Sequence, residues 1–307
     1  DHTLVYRHIK TINLFIYLYE LFVNLHILPS TNVTPQRFLE ILAKILILFC
    51  VIIVYMEIDM QRYFLENKAI VNNQIIIDGN DYHHIKNVMR MVKGEKVYIC
   101  LNEETYIASL NSFFDDYILF DILDKVGFNP EMFAEVTIAH GLVRREKKEE
   151  VLRRIVELGA NKYIPVNMAR SVVKPCSDEN KLERQKKIIK EASEQSHRNK
   201  LMEVCAPISM KELINLSKDY DLSLFAYEES GRSNDFSLKD KLREFRKNNK
   251  KNILVLVGPE GGFTNEEVKL LCASGFFSVG LGPRILRTET APLYVMAAIS
   301  YELEMGD

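Results

Sequence analysis

The chain has 307 residues, 47% apolar and 27% charged, the balance of a globular protein with room for more than one domain. Its five cysteines (Cys50, Cys100, Cys176, Cys205, Cys272) are scattered, with no CxxC pair and no histidine at ligand spacing; this fits a reducing compartment and argues against zinc, and no metal is expected. The formal charge of -2 conceals a basic stretch, Arg144 to Lys200, where 16 Lys+Arg face 9 Asp+Glu; it points to a local anionic partner or to a solvated helix face.

In chain order, residues 1–59 come first. They carry two apolar stretches, Ile12–Leu28 and Ile41–Met56, the second with an unbroken apolar run from Ile45 to Met56. A spanning helix needs about 20 such residues, and no small-residue cleavage site follows for a signal peptide. They are read as an N-terminal extension, helical and dispensable, with a membrane anchor as the alternative. The functional protein is expected to start at Met60.

From Arg62 to Asn129 the texture is short strands. Gln74–Ile77, Lys96–Leu101, Tyr106–Asn111 and Tyr117–Leu123 are β-branched and aromatic runs separated by Asn, Asp and Gly turns. One helix, capped by Asp81, runs through Ile85, Val88 and Met89 to Gly94. A small barrel over residues 60–130 is the expected result.

After Pro130, strands and helices alternate, which predicts an α/β domain with a mostly parallel sheet over residues 131–307. Strands are expected at Ala134–His140, Lys162–Val166, Leu222–Tyr227, Ile253–Val257 and Phe277–Gly280. Helices are expected at Lys147–Leu158, Lys181–His197, Met210–Ser217, Lys239–Asn248, Thr264–Ser274 and Ala291–Glu304. Thr264 with Glu267 forms a capping box, and Pro292 lies in the first turn of the last helix.

Two loops concentrate the chemistry. The strand Ile253–Val257 runs into Gly258-Pro259-Glu260-Gly261-Gly262, and Phe277–Gly280 runs into Leu281-Gly282-Pro283-Arg284-Ile285-Leu286-Arg287-Thr288-Glu289-Thr290-Ala291. Both lie at strand ends, where open α/β sheets bind ligands. Gly261 and Gly262 are expected to let the backbone approach a ligand closely. The spacing is not the GxGxxG dinucleotide fingerprint. A connector capped by Thr290 accounts for Thr290 and Pro292, but not for Arg287 and Glu289 flanking Thr288.

These motifs resemble the ribosomal RNA small subunit methyltransferase E family, of the knotted SPOUT class. GPEGG with LGPRILRTETA carries most of the resemblance. Supporting matches are Met60–Phe64, His84 to Gly94, Glu157-Leu158-Gly159 with Pro165 and Arg170-Ser171, and Glu194 to Asn199. The likeness spans Met60 to the C-terminus.

The resemblance implies a PUA-like barrel, a C-terminal methyltransferase domain with a trefoil knot, a homodimer, and a cytoplasmic enzyme. It implies methylation at N3 of a specific uridine of 16S rRNA in the small ribosomal subunit, with S-adenosyl-L-methionine as cofactor. On that mapping Gly258, Glu260, Gly261 and Gly262 line one side of the cofactor. Leu281, Gly282, Leu286, Thr288, Thr290 and Ala291 line the other. Arg287 would stabilise the developing uracil anion, because a guanidinium is permanently charged and can contact a carbonyl oxygen bidentately. Glu289 would orient it or accept the N3 proton, the latter aided by a raised pKa; His197 is a competing base. RNA would be held by Arg62, His84 and Arg90 of the barrel and by Arg144, Arg170, Lys174, Arg198 and Asn199. The alternatives are a SPOUT ribose 2′-O-methyltransferase acting on tRNA or rRNA, and a non-catalytic RNA-binding assembly factor.

Overall fold

The computed structural model describes residues 60–66, 68–175, 179–228 and 237–305. The reading of residues 1–59 lies outside these. Two sheets form, each around its own core.

The first sheet joins β1 (Arg62–Phe64), β2 (Gln74–Asp78), β3 (Lys96–Leu101), β4 (Glu104–Phe113) and β5 (Tyr117–Lys125) in the order β1-β3-β4-β5-β2. Side chains alternate across a strand, so Ile75 and Ile77 of β2 and Ile118, Phe120 and Ile122 of β5 turn inward together. Register shifts at Ile107/Ala108 and Leu110/Ser112 mark irregularities between β4 and β5, and such bulges sharpen the twist of the sheet. β1 pairs parallel with β3; at three residues it is too short to leave a periodic signal.

The barrel helix differs from its expectation. Asp81 does not cap it: α1 spans Gly79–His83 with Asp78 at the cap position, and a wider π-type turn, His84–Met89, continues it. Asp81 sits in the first turn and pairs with Lys190 instead. Gly79 at φ +62 bends the chain straight out of β2, which moves the helix start forward.

The second sheet has seven strands: β6 (Glu135–Gly141), β7 (Lys162–Asn167), β8 (Glu203–Val204), β9 (Ile208–Ser209), β10 (Leu222–Ala226), β11 (Asn252–Val257) and β12 (Phe277–Val279). Their order is β12-β10-β11-β6-β7-β8, with β9 also on β7, and every pairing is parallel. Helices α2 (Arg145–Glu157), α3 (Glu179–Gln195), α4 (Met210–Leu216), α5 (Ser237–Lys247), α6 (Asn265–Ala273) and α7 (Ala291–Ser300) connect and cover it. Ile253, Val255 and Val257 face one core while Leu254 and Leu256 face the other. That two-sided burial is why β11 reads as an unbroken apolar run. The short strands β8 and β9 were not foreseen, since two residues carry no pattern. Among the described residues no helix is long and apolar enough to cross a membrane.

Candidate active site

The parallel strands end together, and the loops leaving β6, β11 and β12 converge. Below β11, the N–H of Gly262 donates to the Pro259 carbonyl at 2.9 Å and closes the Gly258–Gly262 turn. Thr264 then caps α6 in a reciprocal box with Glu267. The Glu267 carboxylate also accepts from the N–H of Ala169 at 2.9 Å, tying the turn to the chain after β7.

The loop from β12 folds back over this turn. The Thr288 hydroxyl donates to the Gly258 carbonyl at 2.7 Å. The N–H groups of Thr290 and Ala291 both donate to the Arg287 carbonyl at 2.9 Å, which turns the chain into α7. Thr290 holds the cap position without a side-chain cap bond, so its expected capping hydroxyl is not used. Leu281 and Leu286 pack half-buried against the core, and Ala291 is buried. Gly262 (φ +66) and Gly282 (φ +94) are left-handed, and a β-carbon at either would meet nothing within 4 Å. The two loops thus leave an open, backbone-lined cradle that suits a ligand read by N–H and C=O groups.

Tightness falls elsewhere than expected. A β-carbon on Gly261 would lie 2.7 Å from the Arg170 Cβ and 3.1 Å from its carbonyl oxygen, so the close approach at Gly261 is to the protein itself. At Gly141, the end of β6, it would lie 2.4 Å from the Pro259 Cδ and 2.5 Å from its nitrogen. Gly141→Ala should therefore push the turn outward and lower stability by about 1–3 kcal/mol, the scale of overpacking. A urea midpoint equal to that of the parent would mean the turn yields freely and the contact is unimportant.

One lysine holds both loops from outside. Lys147, in the first turn of α2, lies 3.1 Å from Glu289 and 3.4 Å from Glu260. Burial raises the Glu289 carboxyl, but hydrogen bonds from its own backbone N–H and from Lys147 outweigh this and hold it below the ordinary carboxylate range. That is opposite to the raised value a proton acceptor would need, so Glu289 stays ionised. Arg287 is exposed and, among the described residues, makes no ion pair within 4 Å.

The residues expected on RNA divide into three groups. Arg90, Arg144, Arg170 and Lys174 are exposed, and Arg170 also donates to the Gly261 carbonyl at 3.0 Å. Arg62, Arg198 and Asn199 are corrected: they are buried at 8%, 3% and 6% exposure and cannot reach a phosphate. They form the joint between the sheets instead. Arg62 Nη1 donates to the Arg198 carbonyl at 3.0 Å, to Asn199 Oδ1 at 3.2 Å and to Thr105 Oγ1 at 3.1 Å. Arg198 pairs with Glu131 at 2.6 Å. His84 is half-buried beside the Tyr63 hydroxyl at 3.0 Å, and desolvation lowers its pKa. His197 occupies a left-handed turn at φ +56 that ends α3, near the joint, which is a structural use of that residue. Lys147, Gly141 and the buried His140 were missed. A lone lysine, glycine or histidine carries no spacing signal.

Comparison with known proteins agrees with this geometry. Residues 129–300 match the RNA methyltransferase domain family, and residues 77–112 match the RNA methyltransferase PUA domain family. The chain is 39% identical over 256 residues to the ribosomal RNA small subunit methyltransferase E of Bacillus subtilis strain 168, covering 80% of this chain and 98% of that protein. It resembles a solved structure described only as a hypothetical protein (37% identity, TM-score 0.72, 80% of this chain and 99% of the other). It also resembles the ribosomal RNA small subunit methyltransferase E of Neisseria gonorrhoeae, solved bound to S-adenosyl methionine (27% identity, TM-score 0.67, 78% and 97%). The chain therefore belongs to the ribosomal RNA small subunit methyltransferase E family.

Proposed function

We propose that this protein methylates N3 of a specific uridine in 16S rRNA, using S-adenosyl-L-methionine. The observation that carries the reading is the closure of the loop Leu281–Ala291 onto the turn Gly258–Gly262 through Thr288 and Gly258. Open space at Gly262 and Gly282 fits a cofactor held by backbone groups. Glu260, Leu281, Leu286, Thr290 and Ala291 complete its walls. When bound, the cofactor supplies an electrophilic methyl group.

The residues of this chain do the rest. Arg287 extends from the loop and stabilises negative charge on a uracil carbonyl oxygen once N3 has lost its proton. Glu289, held ionised by its own backbone N–H and by Lys147, has a lowered pKa, which favours a negative charge that orients the site over strong proton acceptance. Exposed Arg90, Arg144, Arg170 and Lys174 contact phosphate, which fixes position while the pocket reads the base. Residues 60–130 serve as the RNA-binding barrel, residues 131–307 as the methyl-transfer domain, and residues 1–59 as a dispensable extension. Tyr294, Tyr301 and Met305 form an exposed stripe at helical spacing on and beyond α7, which a second copy would cover in a homodimer. Action on the small subunit places the enzyme in the cytoplasm.

Incubating the protein with small ribosomal subunits and cofactor tritiated on the methyl group should label 16S rRNA. Nucleoside digestion should return the label as 3-methyluridine. Label on a ribose 2′-oxygen would transfer the assignment to the ribose class, and binding of RNA without any label would leave an assembly factor.

A further inference from the structure

Strand β6 ends in His140 and Gly141, with His140 opposite Val257 of β11 and Pro165 of β7. His140 is fully buried, and none of the chemistry above uses it. Its Nε2 lies 2.8 Å from Thr288 Oγ1 and its Nδ1 3.1 Å from the Tyr163 hydroxyl. We propose that His140 is a positioning residue for the cofactor pocket: its imidazole locks the Thr288 hydroxyl onto the Gly258 carbonyl, and so holds the two cofactor loops at a fixed spacing.

The direction of every hydrogen bond in this chain follows from one atom. The Gly258 carbonyl can only accept, so the Thr288 proton points at it. Thr288 Oγ1 must then accept from His140 Nε2–H. With Nε2 protonated in the neutral ring, Nδ1 carries the lone pair and accepts from the Tyr163 hydroxyl. A charged imidazole would put a second proton on Nδ1, against the phenol proton. Burial acts in the same sense and lowers the His140 pKa to about 4; a backbone hydrogen bond to Thr288 and the Glu289 charge oppose it, and Lys148 and Lys147 on α2 add to it. Burial also keeps the Tyr163 phenol protonated. The Thr288 hydroxyl is thereby committed to the protein. Thr288 serves the cofactor through its backbone and its placement, not through its side-chain oxygen.

This rests on the reading that the two loops bind S-adenosylmethionine, and the test separates the two. Calorimetric titration with S-adenosylmethionine is run on the full chain and on His140→Leu, His140→Gln and Tyr163→Phe. His140→Leu leaves the Thr288 oxygen without its donor, and cofactor affinity should fall about tenfold, the scale of a buried hydrogen bond left unmade. Methyl transfer at saturating cofactor should change far less. His140→Gln retains an N–H donor for Thr288 and should restore most of the affinity, which a merely space-filling role would not predict. Tyr163→Phe, the safer variant should His140→Leu fail to fold, should give an intermediate weakening. Nitrogen-15 NMR of the parent protein gives a readout independent of function: Nε2 protonated and Nδ1 bare from pH 8 to pH 5.5. An Nδ1–H tautomer, a titration near 6.5, or unchanged cofactor affinity in the folded Leu and Phe variants would overturn the proposal. If the parent binds no S-adenosylmethionine, the pocket reading fails, and the tautomer still decides the hydrogen-bond chain.

Discussion

Arg198→Ala should unfold at markedly lower urea concentration, with a loss of about 3–5 kcal/mol, the range for removing one partner of a buried ion pair. The guanidinium donates to both oxygens of Glu131 and to the carbonyls of Val156 and Ala160. Without it, the Glu131 carboxylate stays inside the joint with the N–H groups of Asn199 and Lys200 as its remaining partners. A buried charge so stripped costs far more than a surface one. RNA affinity at low temperature, where the fold survives, should depend on salt as in the parent. A normal melt combined with a shallower salt slope would restore the phosphate role that burial excludes.

Arg287→Lys should slow single-turnover methyl transfer by ~10²-fold or more, the scale seen when one preorganised donor is lost from a transition state. Lysine keeps the charge and loses the planar fork that can hold a carbonyl oxygen with two N–H groups. Cofactor affinity should change little, because the interaction is made mainly after the proton leaves N3. The competing idea is a structural clamp. Against it, the Arg287 side chain is exposed while its backbone carbonyl makes the turn into α7, and a substitution at the side chain leaves that turn intact. A depressed melting temperature with normal turnover per folded molecule would defeat the catalytic role.

What the sequence made legible was what repeats or clusters locally. Strand β11 was readable because burial on both faces demands an apolar run from Ile253 to Val257. Helix α6 was readable because Thr264 and Glu267 solve its open N–H groups at a fixed spacing of three. Arg62 and Arg198 were misread for the opposite reason. A long basic side chain is exposed by default, and the partners that bury these two, Thr105, Arg198 and Asn199 for Arg62 and Glu131, Val156 and Ala160 for Arg198, are distant in sequence. The direction of the Glu289 shift was equally hidden, since Lys147 reaches it from a helix far earlier in the chain. Local chemistry writes itself into spacing; charge compensation across the fold does not.

The order of strands has a consequence for how the protein comes into being. β11 lies between β10 and β6, yet it is made after both. Until residues 252–257 are made, β6 and β10 both lack the strand that pairs with them in the finished sheet, and an edge of each is without its native partner. Such edges are templates for pairing with another chain, and closing the loop between β6 and β11 is slow because their contacts are so distant in sequence. The strand that pairs with both is also the one that carries the Gly258–Gly262 turn. The sheet is complete only once β12 follows, and the pocket only once Thr288 closes onto the Gly258–Gly262 turn, so both arise late in synthesis.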